Sequence, residues 1–181
     1  MVKIDANLAK GSPSCEASAV STMTTMQAQR KYLPDASATM RAGARLAPGL
    51  AGGMIVTLSG ELGAGKTTLV RGLLHGLGWT GSVKSPSYTL VEHYPFSSLY
   101  LYHFDFYRFD QPDEWEDSGF AEYFRSDAIC VIEWPEHVRG MLPQVDVALA
   151  LRYQGDGRAL ALDAGTPAGK ACLAAFASPA P

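Results

Sequence analysis

Residues 60–67 read Gly-Glu-Leu-Gly-Ala-Gly-Lys-Thr, which matches the pattern G-x-x-x-x-G-K-[ST] of a phosphate-binding loop. Glycines allow such a loop to curl so that successive backbone amides point at phosphate oxygens. Lys66 is then placed to contact the β- and γ-phosphates, and the Thr67 hydroxyl is placed to ligate Mg²⁺. The pattern predicts that a nucleoside triphosphate and Mg²⁺ bind to these consecutive residues: Glu61, Leu62, Gly63, Ala64, Gly65, Lys66, Thr67 and Thr68.

Two acidic residues that close predicted strands are candidates for the metal side of this site. Glu133 ends the apolar run at 128–132, and Asp105 ends the run at 99–104. Beside a phosphate-binding loop, a carboxylate at the end of a neighbouring buried strand holds Mg²⁺ directly or through water. We therefore expect Glu133 on the metal side, with Asp105 either ligating Mg²⁺ through water or orienting the attacking water. Which acid touches the metal stays open, as do a solvent-facing Glu133 and a salt bridge from Asp105 to Arg108.

The surrounding sequence supplies the strand and the helix that such a loop needs. The mostly apolar run 54–58 predicts a buried strand before the loop, and residues 67–77 predict a helix that Gly78 ends. The remaining predicted elements are a first helix capped by Asp35 or Ser37, a hairpin of strands at 88–94 and 99–106, an acidic loop at 111–118 that leads into a short helix around 120–124, a buried strand at 128–132, a second hairpin of strands at 145–152 and 158–163, and a helix at 168–176. The predicted fold class is α/β, a P-loop NTPase-like three-layer sandwich with a central mixed β-sheet flanked by helices.

Length and composition favour one cytoplasmic domain. The chain has 181 residues and a net charge of −3, and 47% of its residues are hydrophobic. We expect a single domain at 32–181 after a poorly ordered extension at 1–31, which is alternatively an irregular helix docked on the domain. The negative charge argues against a protein that binds nucleic acid by itself, because phosphate neutralisation supplies most of that affinity. No apolar run approaches the roughly 20 residues that span a bilayer, and no secretory signal is evident, so no membrane partner is expected.

Four segments of the sequence, in order, resemble the bacterial TsaE (YjeE) family, the ATPases of tRNA threonylcarbamoyladenosine biosynthesis. The segments are the loop at 60–68, Val-Lys-Ser-Pro-Ser-Tyr-Thr-Leu-Val-Glu at 83–92, His-Phe-Asp-Phe-Tyr-Arg at 103–108 and Ile-Glu-Trp-Pro at 132–135. Many families share the loop, whereas the other three segments in this order are far more specific. The resemblance extends over residues 34–163, and Ser87 stands where the family often carries threonine.

The resemblance implies a P-loop α/β fold, slow ATP hydrolysis and action within a tRNA-modifying assembly. The implied partners are TsaD-like and TsaB-like proteins, so contact with tRNA is expected to be indirect, through the complex. Adenine is also weakly favoured because no Asn-Lys-x-Asp signal for guanine occurs. The resemblance implies catalytic, metal-binding or nucleotide-binding roles for seven side chains: Thr39, Lys66, Thr67, Asp105, Glu133, Trp134 and Arg158. Of these, Lys66, Asp105 and Glu133 are the expected catalytic residues, and His103 either tunes Asp105 or is a packed strand histidine.

Two other functions stay open at this point. A small-molecule kinase shares the P-loop, but it needs cations to neutralise the transferring phosphoryl group, and the sequence has no arginine-rich lid. A nucleotide-dependent binding module with little turnover would use ATP to order the loop at 81–87 and would dock through exposed aromatic residues. The sequence does not determine the stoichiometry of a complex or the step at which hydrolysis acts.

Overall fold

The computed structural model describes residues 29–109, 115 and 118–178. The strands are β1 (Gln29–Leu33), β2 (Ile55–Gly60), β3 (Val91–Pro95), β4 (Tyr100–Asp105), β5 (Ala128–Glu133), β6 (Val147–Gln154) and β7 (Gly157–Ala164). The α-helices whose bounds fall within the described residues are α1 (Ala36–Leu46), α2 (Lys66–Gly76) and α3 (Pro167–Ala177). Short 3₁₀ turns occur at Ala47–Gly49, Phe120–Tyr123 and Pro135–Val138.

Strands β1 to β7 form one mixed sheet, in the order β1-β7-β6-β2-β5-β4-β3. The central pairs β6–β2, β2–β5 and β5–β4 are parallel. The outer pairs are antiparallel: β3–β4 and β6–β7 are hairpins, and β1 pairs with β7. Across β4 and β5, Asp105 lies opposite Glu133, and Leu58 of β2 lies opposite Glu133 on its other side. The carboxyl ends of three neighbouring parallel strands therefore meet at one edge of the sheet, where ligands of open α/β sheets bind.

The two faces of the sheet are covered differently. Helices α1, α2 and α3 pack on one face, over a core that includes Leu69 and Leu73 of α2 and Leu149 of β6. On the other face, strands β4 and β5 are covered by an aromatic cluster around Phe104 and Phe106. The predicted α/β class with a mixed central sheet is confirmed. Within the described residues, the second covering layer is rich in aromatic side chains, among them the helical Trp115, and it includes the 3₁₀ turns at Phe120–Tyr123 and Pro135–Val138.

Two glycines bring α1 directly against α2, the helix that follows the loop. A Cβ on Gly72 would lie 2.0 Å from the Met40 carbonyl oxygen, and one on Gly43 would lie 2.0 Å from the Leu69 carbonyl oxygen. Only hydrogen atoms in place of side chains allow the backbones to approach this closely. Of the two caps predicted for α1, Asp35 is the one used, since its Oδ1 accepts a hydrogen bond of 2.6 Å from the Ala38 amide.

Strand β1 corrects the expectation for the N-terminal region. Residues 29–31 were predicted to belong to a poorly ordered extension, yet they pair with β7, with Gln29 opposite Leu162. The predicted boundary between residues 31 and 32 therefore falls inside a strand. The sequence Gln-Arg-Lys-Tyr-Leu shows no apolar alternation because β1 is an edge strand in which only Leu33 is fully buried. Residues 1–28 and most of the acidic stretch 111–118 lie outside the described residues.

The other predicted elements match the structure closely. Both hairpins are present, although β3 begins at Val91 rather than at residue 88, because Pro86–Leu90 forms a turn in which the Leu90 amide bonds to the Pro86 carbonyl. Helix α2 ends as expected before Gly78, whose φ is +95°. No helix in the described ranges has the length and apolar character that crossing a bilayer requires.

Candidate nucleotide-binding site

The phosphate-binding loop joins the end of β2 to the start of α2, as the motif requires. Gly60, Gly63 and Gly65 have φ values of +142°, +76° and +104°, which side chains strongly disfavour. Gly65 occupies the N-cap position of α2, and no side chain caps the helix there. The amides of the first turn and the positive end of the helix dipole therefore form an anion site at the centre of the loop.

The outer side of the loop is held by the β6–β7 hairpin. The Tyr153 hydroxyl donates a hydrogen bond of 3.1 Å to the Leu62 carbonyl, and Arg158 Nε donates one of 3.0 Å to the Ala64 carbonyl. These two carbonyls thus point toward the hairpin, which leaves amides of the loop to face the opposite way. Arg158 also donates through a terminal nitrogen to the Gly157 carbonyl at 2.8 Å.

Lys66 is buried, and its ammonium group is held by the loop itself. Its Nζ donates to the carbonyls of Gly60 at 2.7 Å and Glu61 at 3.1 Å, and lies 3.8 Å from the centroid of the Trp134 ring. Burial lowers the pKa of Lys66 below the usual lysine value, and the negative charge of Glu133 partly opposes this shift. Trp134 has a φ of +59°, a strained conformation for a bulky residue, directly after β5.

Glu133 is only 2% exposed and connects α2 to β4. Its Oε1 accepts a hydrogen bond of 2.9 Å from the Thr67 hydroxyl and lies 2.9 Å from His103 Nε2. The alternative of a solvent-facing Glu133 is therefore wrong. His103 Nε2 pairs with Glu133 and not with Asp105, which contradicts the first of the two alternatives for this histidine, that it tunes Asp105.

Asp105 is also buried and has a donor on each carboxylate oxygen. Oδ2 accepts a hydrogen bond of 2.5 Å from the Ser85 hydroxyl, and Oδ1 accepts one of 3.1 Å from the Tyr107 amide. Asp105 is thus fixed by these groups rather than by a salt bridge to Arg108, whose guanidinium carbon lies 4.3 Å from the centroid of the Tyr88 ring. The sequence suggested Arg108 or His103 as partners of Asp105 and did not indicate Ser85, because Ser85 lies 20 residues earlier in the chain.

These groups line one cleft of about 460 Å³. The predicted site residues on its surface are Leu62, Gly63, Gly65, Lys66, Thr67, Thr68, Asp105, Glu133 and Trp134. Ser85, Ser87, Tyr107 and Arg108 also line the cleft. The cleft therefore places the start of α2 opposite both carboxylates.

A smaller cavity of about 180 Å³ adjoins the other side of the loop and contains the remaining predicted side chains, Thr39 and Arg158. The Thr39 hydroxyl donates to the Asp35 carbonyl at 3.2 Å, and a Cβ on Gly65 would lie 3.7 Å from the Thr39 methyl carbon. Gly63, Gly65 and Thr68 belong to both cavities. Ala64 lines only the smaller one, and Glu61 lines neither, although its carbonyl accepts from Lys66.

A mixed α/β sheet with a glycine-rich loop between β2 and α2, faced by two strand-end carboxylates, defines a P-loop protein. The sequence profile of the family described as "Threonylcarbamoyl adenosine biosynthesis protein TsaE" matches residues 33–174. The chain belongs to the TsaE family.

Individual relatives agree with this assignment. The chain is 43% identical over 158 residues to the tRNA threonylcarbamoyladenosine biosynthesis protein TsaE of Haemophilus influenzae, covering 84% of this chain and 100% of that protein. It is 42% identical over 104 residues to the protein of the same name from Bacillus subtilis, covering 58% of this chain and 65% of the relative. The crystal structure of Bacillus subtilis YdiB superposes with a TM-score of 0.72 at 27% identity, covering 83% of this chain and 95% of YdiB.

Proposed function

We propose that this chain is a Mg²⁺-dependent ATPase of the cytoplasm that supports N6-threonylcarbamoyladenosine modification of tRNA. In this proposal it works with TsaD-like and TsaB-like partner proteins, and it meets tRNA only through them. Membership of the TsaE family supports the pathway. The observation that carries the enzymatic part is the cleft in which Lys66 and Thr67, at the start of α2, face Glu133 and Asp105.

The oxygen atoms in the cleft fit Mg²⁺, which prefers carboxylate and hydroxyl oxygens and is usually bound by one or two carboxylates plus substrate phosphates. Thr67 and Glu133 would hold the ion, and Asp105 would act directly or through water. The described part of the chain contains no group of three or more His, Cys, Asp and Glu side chains that could hold a metal. Mg²⁺ would supply charge neutralisation on the β- and γ-phosphates.

Each protein group has a distinct task in this proposal. Lys66 exchanges its two carbonyl partners, on Gly60 and Glu61, for phosphate oxygens, which the amides at the start of α2 also bind. Asp105, whose two oxygens are already oriented by Ser85 and Tyr107, accepts a hydrogen bond from the attacking water and orients it.

The test is hydrolysis of ATP by the purified chain, alone and with its TsaD and TsaB partners, each with and without tRNA. We expect slow, Mg²⁺-dependent release of phosphate that rises when the partners are added. Equal turnover with and without partners would refute the role in the assembly but leave ATP hydrolysis intact. Absence of phosphate release under all four conditions would refute the ATPase.

A nucleotide-dependent binding module remains a second candidate because large exposed side chains surround the cleft. Tyr88 is 81% exposed, Leu62 is 66% exposed and Tyr107 is 40% exposed. Such residues are suitable anchors for a partner protein. A Glu133→Gln variant separates the two candidates: a binding module would still support tRNA modification with this variant, whereas an ATPase would not. No observation favours a small-molecule kinase, since the cationic residues lining the cleft are Lys66 and Arg108.

A further inference from the structure

His103 is completely buried on β4, at 0% exposure, and its imidazole is directed at the acid that the proposed function places beside Mg²⁺. Its Nε2 lies 2.9 Å from Glu133 Oε1. We propose that His103 is a positioning residue, which fixes the Glu133 carboxylate in the orientation that Mg²⁺ and the triphosphate require. This inference rests on the proposed function, but it assigns a task to a side chain outside the cleft.

The need for such a residue follows from the flexibility of a glutamate side chain. Rotation about the last bond of glutamate, which turns the carboxylate plane, is only weakly restricted. In this structure one oxygen, Oε1, receives two donors from separate elements, Thr67 Oγ1 on α2 and His103 Nε2 on β4. Two donors on the same oxygen restrict the rotation that turns the carboxylate plane of Glu133. The other oxygen, Oε2, takes part in neither bond.

Thr67 alone is a poor anchor for this purpose, because the proposed function gives its hydroxyl a second task as a ligand of Mg²⁺. His103 lies outside the set of residues that line the cleft, so nucleotide binding does not compete for its Nε2. The bond from His103 is therefore the one that can stay unchanged between the free and the nucleotide-bound protein. Hydrogen-bonded outer partners of this kind orient metal ligands in many proteins.

Packing alone does not account for an imidazole at this position. Within residues 29–109, 115 and 118–178, the buried Nδ1 of His103 has no hydrogen-bond partner. A buried polar atom without a partner is unfavourable, and a leucine would fill a similar volume without this penalty. With a carboxylate as acceptor, the hydrogen bond requires a proton on Nε2, which assigns the Nε2–H tautomer to the neutral ring.

The experiment compares three substitutions that differ in the donor they present. His103→Leu removes it, His103→Asn retains an amide that is too short to replace Nε2, and His103→Gln places an amide donor near the Nε2 position. Phe104→Leu is the matched control: this neighbour on β4 is equally buried but belongs to the aromatic cluster on the opposite face of the sheet. Urea unfolding establishes that each protein is folded.

The main readout is the gain in affinity that Mg²⁺ gives to a non-hydrolysable ATP analogue, measured by calorimetry with Mg²⁺ and with chelator. Loss of an outer partner of a metal ligand costs on the order of tenfold or more in metal affinity. We expect His103→Leu and His103→Asn to reduce the Mg²⁺-dependent gain by about tenfold. Affinity without Mg²⁺ should be unchanged, and His103→Gln and Phe104→Leu should keep most of the gain.

A second readout needs neither nucleotide nor metal. Long-range ¹H–¹⁵N spectra of the free protein report which ring nitrogen of His103 carries the proton, and we expect Nε2. A proton on Nδ1 alone would overturn the inference, as would a full Mg²⁺-dependent gain in both His103→Leu and His103→Asn. If the wild-type protein gains no affinity from Mg²⁺, the proposed function itself fails, and the role of His103 fails with it. A wild-type gain that the variants share refutes only the role of His103.

Discussion

Replacing Asp105 by asparagine removes one negative charge from the cleft while leaving the shape of the side chain almost unchanged. The asparagine carbonyl can still accept the bond from the Tyr107 amide, and its NH₂ group can donate to the Ser85 hydroxyl, so both contacts of the aspartate persist in altered form. We therefore expect nucleotide affinity to change less than about threefold and the free energy of unfolding to change by less than about 1 kcal/mol. Turnover should fall at least tenfold, equivalent to about 1.4 kcal/mol of activation free energy.

Asp105→Ala separates the structural task of the carboxylate from its chemical task. It leaves the Ser85 hydroxyl and the Tyr107 amide without their acceptor; because both residues are exposed and water can replace that acceptor, we expect the free energy of unfolding to fall by only about 0.5–1.5 kcal/mol. Turnover should nevertheless fall to the level of Asp105→Asn, because the lost carboxylate is the same. Ser85→Ala is the control that removes one bond but keeps the acid. Phosphate release and urea unfolding, measured on all three variants, test the reasoning, and normal turnover in Asp105→Asn would remove Asp105 from the mechanism.

Three further predictions concern the loop, the helix contact and a buried thiol. Lys66→Ala should weaken binding of ATP at least about tenfold in calorimetry, because it removes a charge-assisted contact, and should abolish turnover; unchanged affinity would contradict the placement of this side chain. Gly72→Ala should lower the free energy of unfolding in urea by about 1–3 kcal/mol, because its Cβ would meet the Met40 carbonyl at 2.0 Å. Gly78→Ala, which adds a Cβ in open space but has a positive φ, separates overpacking from backbone strain. Burial raises the pKa of Cys130 to about 12, so at pH 8 its thiol should react with alkylating reagents only when urea unfolds the protein. Mass spectrometry of the labelled peptide measures this reaction, and labelling of the folded protein would contradict the prediction.

The parts of the site that could be predicted from sequence are those encoded by local pattern. The glycines of the loop, the lysine and threonine at the start of α2 and the carboxylates that end β4 and β5 each have a signature within a few residues. Their meeting at one edge follows from parallel strand order, which the structure has between β2, β5 and β4. These features depend on strand direction and on burial, and both can be predicted from the residue types in a short stretch of sequence.

Other contacts depend on register and on distant segments, so no window of sequence contains them. His103 reaches Glu133 because β4 pairs with β5 in a register that places it opposite Val131, two residues before Glu133 and on the same face of the sheet. Ser85 reaches Asp105 from a loop before β3, and Tyr153 reaches the loop from the end of β6. Strand β1 was missed for a different reason: at the edge of the sheet, β7 pairs with polar residues that need not be buried.

The position of β6 in the sheet has a consequence for how the chain is made. Strand β6 lies between β7 and β2, and β2 is the strand that leads into the phosphate-binding loop. Tyr153 of β6, which bonds to Leu62 of the loop, is 91 residues away from it in the chain. A ribosome that has released the whole G-x-x-x-x-G-K-T segment and both acidic strands has still not released one neighbour of β2. The nascent protein thus carries its complete nucleotide motif well before the sheet around that motif can be completed. Strand β1, although it is made first, can pair only after β7 has been synthesised.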